Sequence, residues 1–260
     1  MTDKQIDPKE QAVAIAIDHV FVNDRASVVA RQYFAAPHLW AARYYAQQAR
    51  LRENALLRAG HPTIDTLHRA HVVSAVFAAV SFLEAYINEL YQDASHAEAG
   101  GVGDMSSRLS GLTREGQQDL AKRWNDKIWP QSKGDDSYRL QSKYQGALKE
   151  GNRYNECSEQ IFVDITSLIQ LRNALVHFTP ESIDVADRDG RMEKRLRGKF
   201  ADSPFSADPW YLNGCLGAGL AQWSYELVTE FVKDWIGRMG LERDLDAELA
   251  GVLPPAELQT

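Results

Sequence analysis

From Thr63 to about Ser95 the chain carries apolar residues at helical spacing, and no other segment shows the strict alternation of a strand. A helix that long and that apolar needs other helices to cover it, which confines the fold to a bundle. The remaining segments fit. Residues 10–23 read as a short helix, and Ala26 to Ala59 as a long one with a possible break at Pro37. Gly60-His61-Pro62 stops it, and Thr63 and Asp65 supply the cap for the next. Thr113 caps a helix running to Ile128, and residues 136–150, Glu156–Phe178 and Pro209–Met239 carry three more. A polar connector runs from Glu181 to Asp208. The expected architecture is an all-α helical bundle at 61–240, with a helical extension at 1–60 and a tail at 241–260.

Composition narrows the class. The 260 residues are 44% hydrophobic and 25% charged, with a formal charge of −7, which is globular composition rather than that of a disordered chain. An acidic chain is poorly suited to coating nucleic acid through bulk charge, although a local basic site remains open. Cys157 and Cys215 are too few for a disulfide framework or a Cys-rich zinc site. The longest nearly apolar stretch, Val72–Leu83, is interrupted by Ser74 and Ser81 and ended by Glu84, so no membrane span is expected. Together these features predict a soluble, cytoplasmic protein. His61, His68 and His71 lack the further ligands a metal would need, and no phosphate-cradling glycine loop occurs. Neither metal nor cofactor is therefore expected.

The helix from Glu156 holds the residues with the most chemistry. At about 100° per residue from Leu168, Leu171, Leu175 and Phe178 cluster around 280–340° and Ile169 and Val176 near 80–100°, so that Arg172, near 40°, falls inside the apolar arc. Asn173 and His177 lie together on the flank at about 140–180°. A guanidinium on an apolar face needs a partner. The helix from Thr63 offers one, since Ser81, Glu84, Asn88 and Tyr91 form a polar seam down an apolar helix. Glu84 is either exposed by chance or buried with a cation, and it is expected to pair with Arg172 across the two packed helices.

These residues resemble a family. Arg172-Asn173-Ala-Leu-Val-His177 looks like the R-x4–6-H motif, with Asn after Arg, of the HEPN superfamily. Ser81-Phe-Leu-Glu84-Ala-Tyr-Ile-Asn88 is similar to the polar-studded early helix of several HEPN-like groups. Lys143–Leu148, Leu196–Phe200 and the Cys215–Phe231 helix follow in similar type and order. The likeness covers about Thr63 to Met239, and residues 1–60 have no counterpart in it. It implies an all-α bundle, often a metal-independent endoribonuclease, acting as a homodimer in which two motifs share one groove. It further implies a toxin or defence setting, with an antitoxin or other protein partner, and RNA as substrate.

The residue types suit that reaction. Cleavage by the 2′-OH needs a base, an acid and positive charge on the crowded phosphorane. Histidine transfers protons near neutrality, and arginine offers a permanently charged fork to phosphate oxygens. The resemblance makes His177 the base or acid and Arg172 the phosphate stabiliser. Asn173 becomes the residue that orients one or the other, with Glu84, Ser81 and Asn88 in support. Arg188, Arg191, Lys194, Arg195, Arg197 and Lys199 form the one markedly basic stretch, suited to gripping an RNA backbone.

Plainer readings stand beside each of these. His177 in a last helical turn can simply cap carbonyls. Arg172 with Glu84 can be purely structural, and the basic connector can be a solvated loop. Trp40, Tyr44 and Tyr45 interleaved with arginines suit either base stacking or an interface, the second being favoured. A non-catalytic HEPN-like module that binds RNA, a nucleotide or a protein is the alternative function.

Overall fold

A computed structural model of the chain describes residues 19–22, 28–60, 63–100, 108–127, 136–150, 159–178, 190–205 and 210–250. Eight helices lie among them: α1 (Ala35–Arg58), α2 (Thr66–Glu98), α3 (Arg114–Asn125), α4 (Asp136–Glu150), α5 (Glu159–Val176), α6 (Arg191–Leu196), α7 (Ala218–Met239) and α8 (Leu245–Ala250). The class is all-α. A small antiparallel hairpin, β1 (His19–Val22) and β2 (Val28–Arg31), precedes α1, with Val20 opposite Ala30 and Phe21 opposite Val29.

The hairpin corrects the helices expected at 10–23 and from Ala26; residues 10–18 fall outside the described part of the chain. The runs Val20-Phe21-Val22 and Val28-Val29-Ala30 are short, continuous and rich in β-branched residues. Such runs suit strands without alternating, so a search for alternation passes over them. Pro37 breaks nothing. It sits in the first turn of α1, where its missing N–H has no intrahelical carbonyl to reach.

The centre of the bundle is α2, packed on α1, α3 and α7. Val72, Val76, Leu83, Ile87 and Leu90 are fully buried there. Among the described residues α2 alone is long and apolar enough to cross a membrane, and its burial between neighbouring helices explains that apolarity. Tyr144 of α4 ties the polar and apolar parts together. Its hydroxyl donates to the Leu83 carbonyl at 2.8 Å, its own carbonyl accepts from Trp235 Nε1 at 3.1 Å, and its ring meets Phe231 edge-on.

The second half of the segment read as an extension is core. Leu39, Ala42, Ala46 and Ala49 of α1 are buried, as are Leu241, Leu245 and Leu249 in the segment read as a tail. Alanines at these α1 positions let α1 approach α2 and α7 closely.

Helix starts are capped in two ways. Locally, Asp65 accepts the His68 amide at 2.7 Å to start α2, and Thr113 accepts the Gly116 amide at 3.1 Å to start α3. The starts of α1 and α7 lack such a residue, because Phe34 and Gly217 offer no side-chain acceptor. Glutamates from other helices serve instead. Glu89 of α2 accepts the Phe34 and Ala35 amides at 2.7 and 2.8 Å, and Glu53 of α1 accepts the Ala218 amide at 2.9 Å. A carboxylate at a helix N-terminus satisfies orphan donors and meets the positive end of the dipole. Gly217 and Gly219 are needed for another reason: a Cβ on Gly219 would stand 2.3 Å from the Ala201 carbonyl oxygen. The helix expected from Pro209 therefore divides into a π turn, Trp210–Gly214, and α7.

Two expected outcomes follow from these contacts. Arg52 grips Asp65 with two bonds, at 3.1 and 2.8 Å. With the His68 amide, that holds the Asp65 carboxyl down at about 2 against an ordinary 3.8. A depressed carboxylate contributes stability above its unfolded value, and that contribution is lost as pH falls through its folded value. Melting temperature should therefore drop between about pH 4 and pH 2, and Asp65→Asn, which keeps a capping oxygen but no charge, should flatten that fall.

Tyr86 gives the second. It is fully buried, its ring lies under the Arg243 guanidinium at 4.7 Å, and its hydroxyl has no hydrogen-bond partner among the described residues. A buried unsatisfied group costs about 1–3 kcal/mol. Tyr86→Phe keeps the ring and should melt no lower than wild type, and up to several degrees higher. A clearly lower melting temperature would reveal a partner for the hydroxyl.

Candidate functional site

The candidate residues sit at the C-terminal end of α5. Phe162, Ile165, Leu168, Ile169 and Leu171 are buried and fix this helix on the bundle. Leu175 packs at the core's edge, but Phe178 is 52% exposed, contrary to its expected place in the apolar arc. Helical geometry ends at Val176, so the projection that put Phe178 inward stops two residues early.

Arg172 is half-buried, and its Nη2 stands 4.0 Å from Glu84 Oε2. The expected partners do meet, but not as a buried pair, since the Glu84 side chain is 55% exposed. The run of apolar residues before Glu84 covers other faces of α2, while Glu84 itself looks out to solvent. An exposed pair at that distance contributes at most about 1 kcal/mol. Asn173 lies next, with its Oδ1 buried and lacking a hydrogen-bond partner among the described residues. Its carbonyl accepts the His177 amide at 2.9 Å, and the His177 side chain is exposed. An arginine fork, a buried amide oxygen and an accessible imidazole thus gather at the C-terminal end of α5, the imidazole just beyond its last residue.

The supporting seam divides. Ser81 is half-buried. Asn88 accepts from Lys143 Nζ at 2.6 Å, and Tyr91 donates to the Lys143 carbonyl at 3.0 Å. Those two residues therefore fasten α2 to α4 instead of supporting Arg172.

The basic stretch is also partly engaged. Arg188 lies outside the described residues, and Arg191 opens α6. Arg195 donates to Gln170 of α5, Lys199 pairs with Asp164 of α5 at 2.7 Å, and Arg197 pairs with Glu193 at 3.0 Å. Arg197 also lies over the Trp210 ring at 5.3 Å. Lys194 is exposed. The stretch thus docks α6 onto α5 beside the candidate residues, and Lys194, Arg195, Arg197 and Lys199 are all engaged.

Sequence reasoning missed a deeply buried ionisable pair. His68 Nε2 stands 3.2 Å from Glu53 Oε2, and both side chains are nearly inaccessible. His68 belongs there and not to a metal cluster; His71 stacks on Tyr45, and His61 lies outside the described residues. Among the described residues no group of three or more His, Cys, Asp or Glu is placed to hold a metal. Cys215 is a buried thiol whose pKa burial pushes up to about 12, which leaves it unreactive as a nucleophile.

Comparison with protein-family models, with curated proteins and with solved structures finds no match to this chain.

Proposed function

We propose that the chain is a metal-independent endoribonuclease of HEPN type, acting as a homodimer whose two α5 ends share one RNA groove. One observation carries the reading: Arg172 and Asn173 stand on the last turn of α5 and His177 just beyond it, with the imidazole exposed and the Asn173 oxygen without a hydrogen-bond partner among the described residues. In this reading His177 moves the proton at the 2′-OH or the 5′-oxygen, with its counterpart in the second copy taking the other. Arg172 neutralises the phosphorane, for which its loose contact to Glu84 leaves it available. Asn173, whose Oδ1 is buried beside Arg172, orients His177 or the phosphate. Val176 and Phe178, 49% and 52% exposed, supply apolar surface beside the histidine for a two-fold contact. A toxin or defence role with a protein antitoxin belongs to the same proposal.

A second reading has its own support. Arg195, Arg197 and Lys199 are held by protein partners, which leaves fewer cations for an RNA backbone. That favours a non-catalytic HEPN-like module binding RNA, a nucleotide or a protein. The deciding experiment incubates RNA with the purified chain in EDTA over a range of protein concentrations. A composite-site ribonuclease loses specific activity as dilution splits the dimer; a binding module never cleaves.

A further inference from the structure

The outward face of α1 has no role in the fold described above. At about 100° per residue from Leu39, the buried side chains of α1 gather near 315°. Trp40, Tyr44 and Leu51 then lie at about 100, 140 and 120°, on the opposite side. Tyr44 is 40% and Leu51 60% exposed. The rings of Trp40 and Tyr44 stack, with centroids 5.2 Å apart and planes 11° from parallel. Arg43, Gln47 and Arg58 share this side of the helix and are exposed. The helix carries four arginines against one glutamate, Glu53, which is buried, although the chain as a whole bears −7.

We propose that this face binds single-stranded RNA, with bases stacked on the Trp40–Tyr44 pair and phosphates held by Arg43 and Arg58. Flat aromatic faces beside cations suit unstacked bases of any sequence. Exposed Gln47 can hydrogen-bond base edges between them. From Trp40 to Arg58 the helix runs about 27 Å, long enough for a strand of at least about four nucleotides. A second copy of the chain fits this face less well, because two-fold pairing of α1 would bring the same arginines together. A membrane surface fits less well too, because Arg43 and Gln47 interrupt the apolar stripe.

The proposal extends the ribonuclease reading by giving its substrate a second grip, and its test is separate. Fluorescence anisotropy is measured with a labelled single-stranded RNA of about 12 nucleotides. The protein is the full chain carrying His177→Ala, so that cleavage does not interfere. Adding Tyr44→Ala should weaken binding about 5- to 100-fold. Adding Arg43→Gln should reduce the slope of log affinity against log salt by about 0.7. Arg43 is exposed, so its variant should melt with the parent, and Tyr44→Ala, which loses ring contacts to Trp40 and Tyr45, should melt only a few degrees lower. Affinity and salt slope unchanged in both variants would overturn the proposal, as would absence of binding. So would finding that Tyr44→Ala instead splits a dimer in sedimentation or releases the chain from anionic vesicles. Persistent cleavage by His177→Ala would refute the ribonuclease mechanism and leave this binding result standing.

Discussion

Glu53→Ala should lower the stability of this protein by about 2–6 kcal/mol, because it leaves two buried donors without their acceptor at about 1–3 kcal/mol each. For a chain of this size that amounts to a melting temperature lower by roughly 10 °C. The carboxylate does two jobs at one point. It accepts from His68 Nε2 at 3.2 Å and from the Ala218 amide at 2.9 Å, so its loss strands a buried imidazole and an orphan helix donor together. The substitution also removes the tie between α1, α2 and the start of α7, three helices that pack on one another. Glu53→Gln, which keeps an acceptor oxygen, should cost less.

Acid dependence supplies a second readout for the same residue. Burial disfavours the Glu53 carboxylate, but hydrogen bonds from His68 and Ala218, with the charges of His68 and Arg50, outweigh it and hold the carboxyl below its ordinary 4.5. A lowered folded-state pKa means stability that is present above the unfolded value and lost as pH falls through the folded one. Glu53→Gln should therefore flatten the acid limb of the stability curve, in parallel with Asp65→Asn. A Glu53→Ala protein that melts within about 2 °C of wild type would show that the buried pair contributes little.

The same capping pattern explains what could be read from the sequence. The starts of α2 and α3 are legible because Asp65 and Thr113 lie beside the helices they cap. Those of α1 and α7 are not, because their acceptors, Glu89 and Glu53, come from distant parts of the chain. No local rule can announce a cap brought by folding. The hairpin was hidden for a local reason, its strands being short apolar runs. At the candidate site the spacing of Arg172, Asn173 and His177 was legible, and so was the meeting of Arg172 with Glu84. The exposure of Glu84 was not, since an apolar run before a residue does not say which way that residue faces. Nor was the engagement of Arg195 by Gln170 and Lys199 by Asp164, which depends on α6 folding back along α5.

His177→Ala should reduce RNA cleavage by at least about 10²–10⁴-fold, the usual contribution of one acid–base group. The loss should reach the upper end if both copies supply a histidine to one groove. Its effect on the fold should be small, because the side chain is exposed just beyond the end of α5. That contrast separates the two readings of this histidine. A residue that only complements the α5 dipole would change stability by about 0.3–1 kcal/mol and leave RNA untouched. A catalytic residue does the reverse. Arg172→Lys adds a graded control, keeping the charge while losing the planar fork; it should bind RNA but cleave it more slowly than wild type.

The most direct measurement is mass spectrometry of RNA ends after incubation with the full chain in EDTA, wild type beside His177→Ala. Attack by the 2′-OH predicts 2′,3′-cyclic phosphate ends with wild type and intact RNA with the variant. Intact RNA with wild type, 3′-hydroxyl ends, or equal cleavage by both proteins would contradict the assignment of Arg172, Asn173 and His177 as a ribonuclease site.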